Sequence, residues 1–494
     1  MEFYGNVTVE INNTTTKLTE HFHELSWTDP HGRLFWRDGA LYRGIRSTRA
    51  ELYRVLLNDG VVQELVDRRF LIDTWPTDFT TMEFPLVLQH RRIPIVSFAP
   101  EWAGSHFKAA ALLVLDLEIS LRARGLTLED INPWNIVFDR TTPLYVDFCS
   151  IAPLRDQEVW PARLQFEEFF FNPLRLFAEG MPRLGRRLLC DPWRGIPSTD
   201  LQRLGVPHRW SGASVGQWQR AMKQIGGKLL PLPLHPFAKV FLRKRRAIQR
   251  RLRGARDILP EIISLRDRVS AISVWTQRTA WAGYYNDNFP DFYDRASWTA
   301  KHHAVMDIIE TYKPTTLIDI GANRGWYSQA AARRGTRVIG TDSDETCVNE
   351  LFQDVKMSGL NVFPIYLDIR FPEPAQGPGY GSFASAAERF KSEMVLALGL
   401  IHHLVFHWHL SFDHVVDALS VFTTKWLLVE FIGPEDSVVK RIYNWSERPF
   451  YTYDNFVRTL EKRFEIIRQI PSDNGGLDTD VRDDRTIVLC KIRA

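Results

Sequence analysis

Leu317-Ile-Asp-Ile-Gly-Ala-Asn-Arg-Gly325 decides the reading of this chain of 494 residues. Its apolar start is a buried strand, and its glycines form a turn that runs straight into a helix beginning at Trp326. Gly321 permits a tight turn and a close approach of backbone to ligand, and Gly325 lets the next helix pack near the strand. Such a turn lies at the carboxyl edge of a parallel sheet, where open α/β sheets bind ligands. A dinucleotide site would place a second glycine against pyrophosphate, whereas Asn323 stands at the middle position here.

Outward from the turn, apolar spacing predicts helix 301–312, strand 316–320, helix 326–333, strand 337–340 and helix 345–357. Strands follow near 362–366, 394–398 and 426–431, an alternation that implies a parallel sheet with helices on both faces. Segments 464–470 and 485–492 read as a closing antiparallel pair. The second strand runs to Asp342, a carboxylate suited to both ribose hydroxyls of a nucleoside. After the third comes Asp368, suited to an adenine amino group or else a plain surface acid. The fourth delivers Leu396-Ala-Leu-Gly-Leu-Ile-His402-His403-Leu to the same edge, and the fifth carries Glu430. An imidazole there is either a general base or an anchor for the turn; Glu430 either orients an acceptor or closes the edge. His402, His403, His407 and His409 offer only one i, i+4 pair and no third ligand, so no metal site is expected. The insertion 371–390, rich in Gly, Pro and Ser, is of the kind that forms a lid and would contribute Arg389.

From about Trp281 to Ile492 the chain resembles the class I S-adenosylmethionine-dependent methyltransferases, whose first motif is an acidic residue followed by spaced glycines. The resemblance implies a Rossmann-like α/β domain of seven strands, one of them antiparallel, with S-adenosylmethionine as cofactor. It also implies that Asp319, Gly321, Asn323 and Gly325 surround the methionine moiety, that Asp342 holds the ribose and that Asp368 faces the adenine. His403, His402 and Glu430 are then the candidate catalytic residues. Methyl transfer from a sulfonium needs alignment above all, and a base only if the acceptor is protonated.

The first half carries Asp130-Ile-Asn-Pro-Trp-Asn135 followed by Asp147-Phe-Cys. This resembles the catalytic segment of protein kinase-like and aminoglycoside phosphotransferase-like folds, in which such residues position an acceptor and hold magnesium. Leu128 stands for the usual His and Cys149 for the Gly; no glycine-rich loop precedes, and no lysine occurs between Lys17 and Lys108. The expected organisation is therefore an N-terminal extension (1–29), a degenerate α+β kinase-like domain that helps bind the acceptor (30–228), a linker (229–300) and the methyltransferase domain (301–494). The linker opens on the proline-broken stretch 229–236, which cannot propagate a helix. It continues through the basic stretch 239–256 and an aromatic collar from Trp275 to Trp298, which is either packing or a cap over the acceptor site. The basic stretch is a solvated connector helix, or else a contact for a membrane surface. Motifs such as Pro100-Glu-Trp-Ala, Ala109-Ala-Ala-Leu and Val429-Glu-Phe, taken with both halves, resemble the bacterial nodulation protein family that contains NoeA.

A net charge of +3 argues against a nucleic-acid partner, and four scattered cysteines argue against a disulfide framework or zinc ribbon. The start lacks a signal-peptide pattern and no apolar run reaches spanning length, so a cytoplasmic enzyme is expected. The reading is a methyltransferase acting on an O or N atom of a small-molecule or glycan-like acceptor, with a role in host-specific nodulation. The alternatives are a ligand-binding regulator without turnover and a bifunctional kinase and methyltransferase.

Overall fold

The structure is a computed structural model that describes residues 7–11, 14–18, 21–23, 26, 29–191, 193–206, 257–274, 279, 281, 290–377, 383–436, 440–473 and 484–493. The proline-broken stretch 229–236, the basic stretch 239–256 and most of the aromatic collar lie outside the described residues. The chain divides into two compact units, one of residues 1–106, 137–144 and 276–494, the other of 107–136 and 145–275. Residues of the expected first domain are thus found in both.

The first unit contains two sheets besides a hairpin of β1 (Val7–Ile11) and β2 (Thr14–Leu18) and most of the pair β9 (Ile136–Asp139) and β10 (Thr142–Tyr145). The smaller sheet is antiparallel, in the order β3 (His21–Phe22), β4 (Gly32–Arg37), β5 (Ala40–Ile45), β7 (Leu86–His90), β6 (Thr74–Pro76). Two helices, α1 (Ser47–Asn58) and α2 (Val61–Asp67), stand between its third and fourth strands in sequence. Gly44 on β5 is a packing requirement, because a Cβ there would lie 2.3 Å from the ring of Phe84.

The larger sheet has seven strands: β12 (Thr316–Ile320), β13 (Arg337–Asp342), β14 (Val362–Tyr366), β15 (Ser392–Ala397), β16 (Thr423–Ile432), β17 (Phe464–Ser472) and β18 (Arg485–Ile492). They lie in the order β14-β13-β12-β15-β16-β18-β17, with β18 antiparallel to both of its neighbours and the first five strands parallel. This is the single antiparallel strand expected from the resemblance. The intervening helices are α7 (Ala300–Tyr312), α8 (Trp326–Ala332), α9 (Glu345–Ser358), α10 (Phe412–Ser420) and α11 (Tyr453–Leu460). Consecutive strand residues feed opposite cores, as a pleated strand requires. Leu317, Val338, Met394 and Leu428 pack with Val305, Trp326 and Leu351 on one face. Ile318, Ile339, Val395 and Leu427 pack with Val415, Leu419 and Phe456 on the other. Covering both faces explains why β12 to β16 read as nearly continuous apolar runs.

The second unit holds most of the long helix α3 (Gly104–Arg122), the pair β8 (Leu126–Leu128) and β11 (Ile151–Pro153), and helices α4 (Arg163–Phe166), α5 (Asn172–Ala178) and α6 (Leu259–Ala271). Buried Glu118 on α3 accepts from the Leu128 amide at 2.9 Å and from Arg122 Nε at 2.6 Å, tying helix to strand. No helix among the described residues is long and apolar enough to cross a membrane.

Candidate functional site

Three left-handed residues build the turn after β12: Gly321 (φ 77°), Asn323 (φ 56°) and Gly325 (φ 75°). Their glycines serve different ends. A Cβ on Gly325 would lie 2.6 Å from Leu351 of α9, so that glycine is a packing requirement. A Cβ on Gly321 would meet only the Leu400 side chain, at 3.5 Å, an ordinary contact, so its positive φ rather than packing calls for glycine there. Asn tolerates the left-handed conformation better than other side chains because its amide bonds locally. Here Asn323 Oδ1 accepts from the Arg324 amide at 2.7 Å, and its Nδ2 donates to the Trp281 carbonyl at 2.8 Å.

Two carboxylates flank this turn. Asp319 is buried near the end of β12 and accepts from Ser328 Oγ at 2.7 Å. Burial raises its pKa to about 6, with the charge of Asp342 adding to the shift and the Ser328 hydrogen bond opposing it. Asp342 ends β13, with one oxygen accepting from the Asn323 amide and the other from the Asp344 amide, each at 2.8 Å. Burial raises it to about 6 as well, against those amide bonds. A carboxylate oxygen has two lone pairs, so one that accepts a single donor can accept a second. Asp368 reaches the same edge, but both of its oxygens are held by Arg370, at 2.7 and 2.6 Å, and that guanidinium lies 3.3 Å over the ring of Trp408.

The adjacent edge, after β15 and β16, is charged and sealed. Glu430 is fully buried and its Oε2 accepts from Lys301 Nζ and from the Gly399 amide, each at 2.7 Å. Arg485 Nη1 lies 3.9 Å from Glu430 Oε1, and Arg485 Nε donates to buried Asp436 at 2.7 Å. Two cations and two carboxylates thus form one buried chain. Glu430 holds the turn at Gly399 from which His402 and His403 follow.

The two histidines differ. His402 is 5 % exposed, its Nδ1 has no hydrogen-bond partner, and burial pushes its pKa well below the usual range. His403 is more open, and its Nδ1 lies 2.7 Å from the Tyr443 hydroxyl. Burial, then the neighbouring His407 and Arg485, lower it to about 4, so it is neutral at physiological pH. The Trp281 ring stands edge to face with it at 4.7 Å. Trp281 therefore touches both the glycine turn and His403. Arg389, expected on a lid, instead stands on a short helix (Ala386–Arg389) and clasps buried Glu101 and the Val96 carbonyl. Among the described residues no three His, Cys, Asp or Glu side chains gather as metal ligands. Lys301, Arg485 and Tyr443 carry no local sequence signal; they reach the site only through the fold.

In the second unit, Asn135 Nδ2 lies 3.4 Å from Asp147 Oδ2, whereas the Asp130 carboxylate is engaged by Gln165.

No family model matches the chain. It is 28% identical over 479 residues to the nodulation protein NoeA of Rhizobium meliloti (strain 1021), covering 93% of this chain and 96% of that protein. Among solved structures it is similar to magnesium protoporphyrin IX methyltransferase of Synechocystis PCC 6803 with bound S-adenosylmethionine. That match has 16% identity and a TM-score of 0.27, covering 39% of this chain and 77% of the other. It is also similar to the N-methyltransferase NodS of Bradyrhizobium japonicum WM9, at 10% identity and a TM-score of 0.29, covering 39% and 94%.

Proposed function

We propose that the chain is an S-adenosylmethionine-dependent methyltransferase acting on an O or N atom of a small-molecule or glycan-like acceptor. One observation carries the reading: buried Asp319 and half-buried Asp342, two carboxylates without a cation in hydrogen-bond contact, flank a glycine turn at the carboxyl edge of a seven-stranded sheet. Carboxylates held at raised pKa favour a ligand that brings positive charge and hydroxyl donors. The donor has both, in its ammonium and sulfonium and in its ribose diol, so the residues present fit it. Asp342 would take the ribose and the turn from Gly321 to Gly325 the methionine portion, with Asp319 setting the field beneath them. When bound, the donor supplies an activated methyl group on a neutral leaving sulfur.

His403 is the proton acceptor of this reading, because it is neutral and stands open beside Trp281, whereas His402 is sealed. Glu430 serves the site from behind, by holding the Gly399 turn.

The first half is read as a degenerate kinase-like portion that helps select the acceptor. In kinases a lysine on the third strand of the small sheet grips phosphate and pairs with a helix glutamate. The third strand here, β5, carries Arg43, whose partner is Asp29, at 3.2 Å. That substitution supports binding without phosphoryl transfer. The relative named for nodulation supports a nodulation role for the product.

Titration calorimetry with S-adenosylmethionine on the full chain, followed by transfer of labelled methyl into candidate extracts, tests the reading. Binding with transfer supports it. Binding without transfer to any acceptor supports a regulator, and absence of binding overturns the donor assignment.

A further inference from the structure

His402 and His403 are neighbours in sequence with ring centroids 3.9 Å apart, yet only one has a polar partner for its ring. That partner, Tyr443, comes from the segment after β16 and is fixed by stacking of its own ring on Phe406 at 5.1 Å. Phe406 packs in turn against Trp445 and Tyr451, so the phenol sits on an aromatic base. No other hydrogen-bond partner of the His403 ring is found among the described residues.

A neutral imidazole has one donor nitrogen and one acceptor nitrogen, and the bond made by one decides the role of the other. A proton on Nδ1 donates to the Tyr443 oxygen and leaves Nε2 as a lone pair; a proton on Nε2 makes that atom a donor, useless for taking a proton. A phenol can accept from Nδ1 while its own hydrogen turns outward, and the Tyr443 side chain is partly open. An acceptor hydroxyl that donates to Nε2 selects the same arrangement.

We propose that Tyr443 is a positioning residue for methyl transfer: it takes the Nδ1 hydrogen of His403 and so presents Nε2 as the atom that removes the acceptor's proton. This rests on the methyltransferase reading above. The balance is simple. The acceptor O–H or N–H bond breaks and its proton goes to Nε2; the freed electron pair bonds the methyl carbon while the carbon–sulfur pair leaves with sulfur. His403 ends as an imidazolium whose Nδ1–H still donates to Tyr443, and the proton is later lost to water. His402, sealed and without a partner, takes no part.

The test uses full-length protein labelled with nitrogen-15 histidine, in the parent and in Tyr443→Phe. Long-range proton–nitrogen correlation spectra, with His403 assigned from His403→Gln, should show His403 neutral and protonated on Nδ1 in the parent. In Tyr443→Phe the population should move towards the Nε2–H form. Carbethoxylation of His403 by diethyl pyrocarbonate, located by peptide mass mapping, should slow severalfold in the variant. S-adenosylmethionine affinity by calorimetry should not change, which marks the variant as folded. A parent ring protonated on Nε2, or one whose spectrum and reactivity ignore Tyr443→Phe, overturns the proposal. Failure of the parent to bind S-adenosylmethionine would overturn the methyltransferase reading instead, whatever the tautomer.

Discussion

Two pairs of carboxylates lie along one edge of the same sheet, and they are treated oppositely. Asp319 and Asp342 have no cation in hydrogen-bond contact and are satisfied by a hydroxyl and by backbone amides, so burial lifts both to about 6. Glu430 and Asp436 are at least as deeply buried but are joined to Lys301 and Arg485. In the proposed reading the difference separates ligand site from framework. A carboxylate without a cation at a ligand edge stores an unfavourable charge that a cationic ligand relieves. A carboxylate already neutralised has no such demand and holds the backbone around it.

The comparison can be broken most directly at Glu430. Glu430→Ala should destabilise the fold by about 3–5 kcal/mol, the usual cost of leaving a buried charge without its partner, as read by denaturant unfolding. A fully stable variant would return Glu430 to the list of catalytic candidates. Next in size, Asp342→Ala should weaken S-adenosylmethionine binding by about 1–3 kcal/mol, the cost of removing a partner from buried polar groups. Its folding stability should hold or rise, and unchanged affinity by calorimetry would remove the ribose assignment.

The pH dependence follows from the same pair. Both groups are raised above the ordinary carboxylate value, so the fold holds their protons more firmly than the unfolded chain does. Their destabilising charge grows as pH rises through the ordinary value and is fully present above about 6. Donor affinity should therefore fall as pH drops through about 6, and fall less in Asp342→Asn. Calorimetry on either side of that pH checks it; a flat profile would mean that these groups do not titrate in the empty site. The smallest effect is expected at Asp368, because Arg370 already holds both oxygens. Asp368→Ala should cost less donor affinity than Asp342→Ala, and a larger cost would restore its role against adenine.

Much of the edge at the glycine turn was legible in the sequence, for a local reason. Strands buried on both faces, such as Leu317-Ile-Asp-Ile, appear as apolar runs, and the turn after them needs residues that accept positive φ. The seven strands fall within a few residues of their expected limits. The adjacent edge after β15 and β16 was only half legible. Glu430, His402 and His403 stand at strand ends and were visible, but their roles depend on Lys301, Arg485 and Tyr443, which arrive from distant segments with no local periodicity. The two adjacent histidines show the limit best: the same residue type at consecutive positions is sealed in one case and open in the other, and only packing decides which. The small sheet of β3 to β7 was not resolved into strands either, because its strands are short and partly exposed, with a helical pair interposed.

The chain of charges from Lys301 through Glu430 and Arg485 to Asp436 also constrains how this protein can change over generations. Substituting any one member strands an opposite charge in the interior. Exchanging Lys301 and Glu430 together for Met and Gln would remove both charges and still leave an acceptor for the Gly399 amide, a change that buried ion pairs often tolerate at little cost. Positions 301, 430, 436 and 485 should therefore drift as a set among descendants of this sequence, while Asp319 and Asp342, in the proposed donor site, should stay as they are.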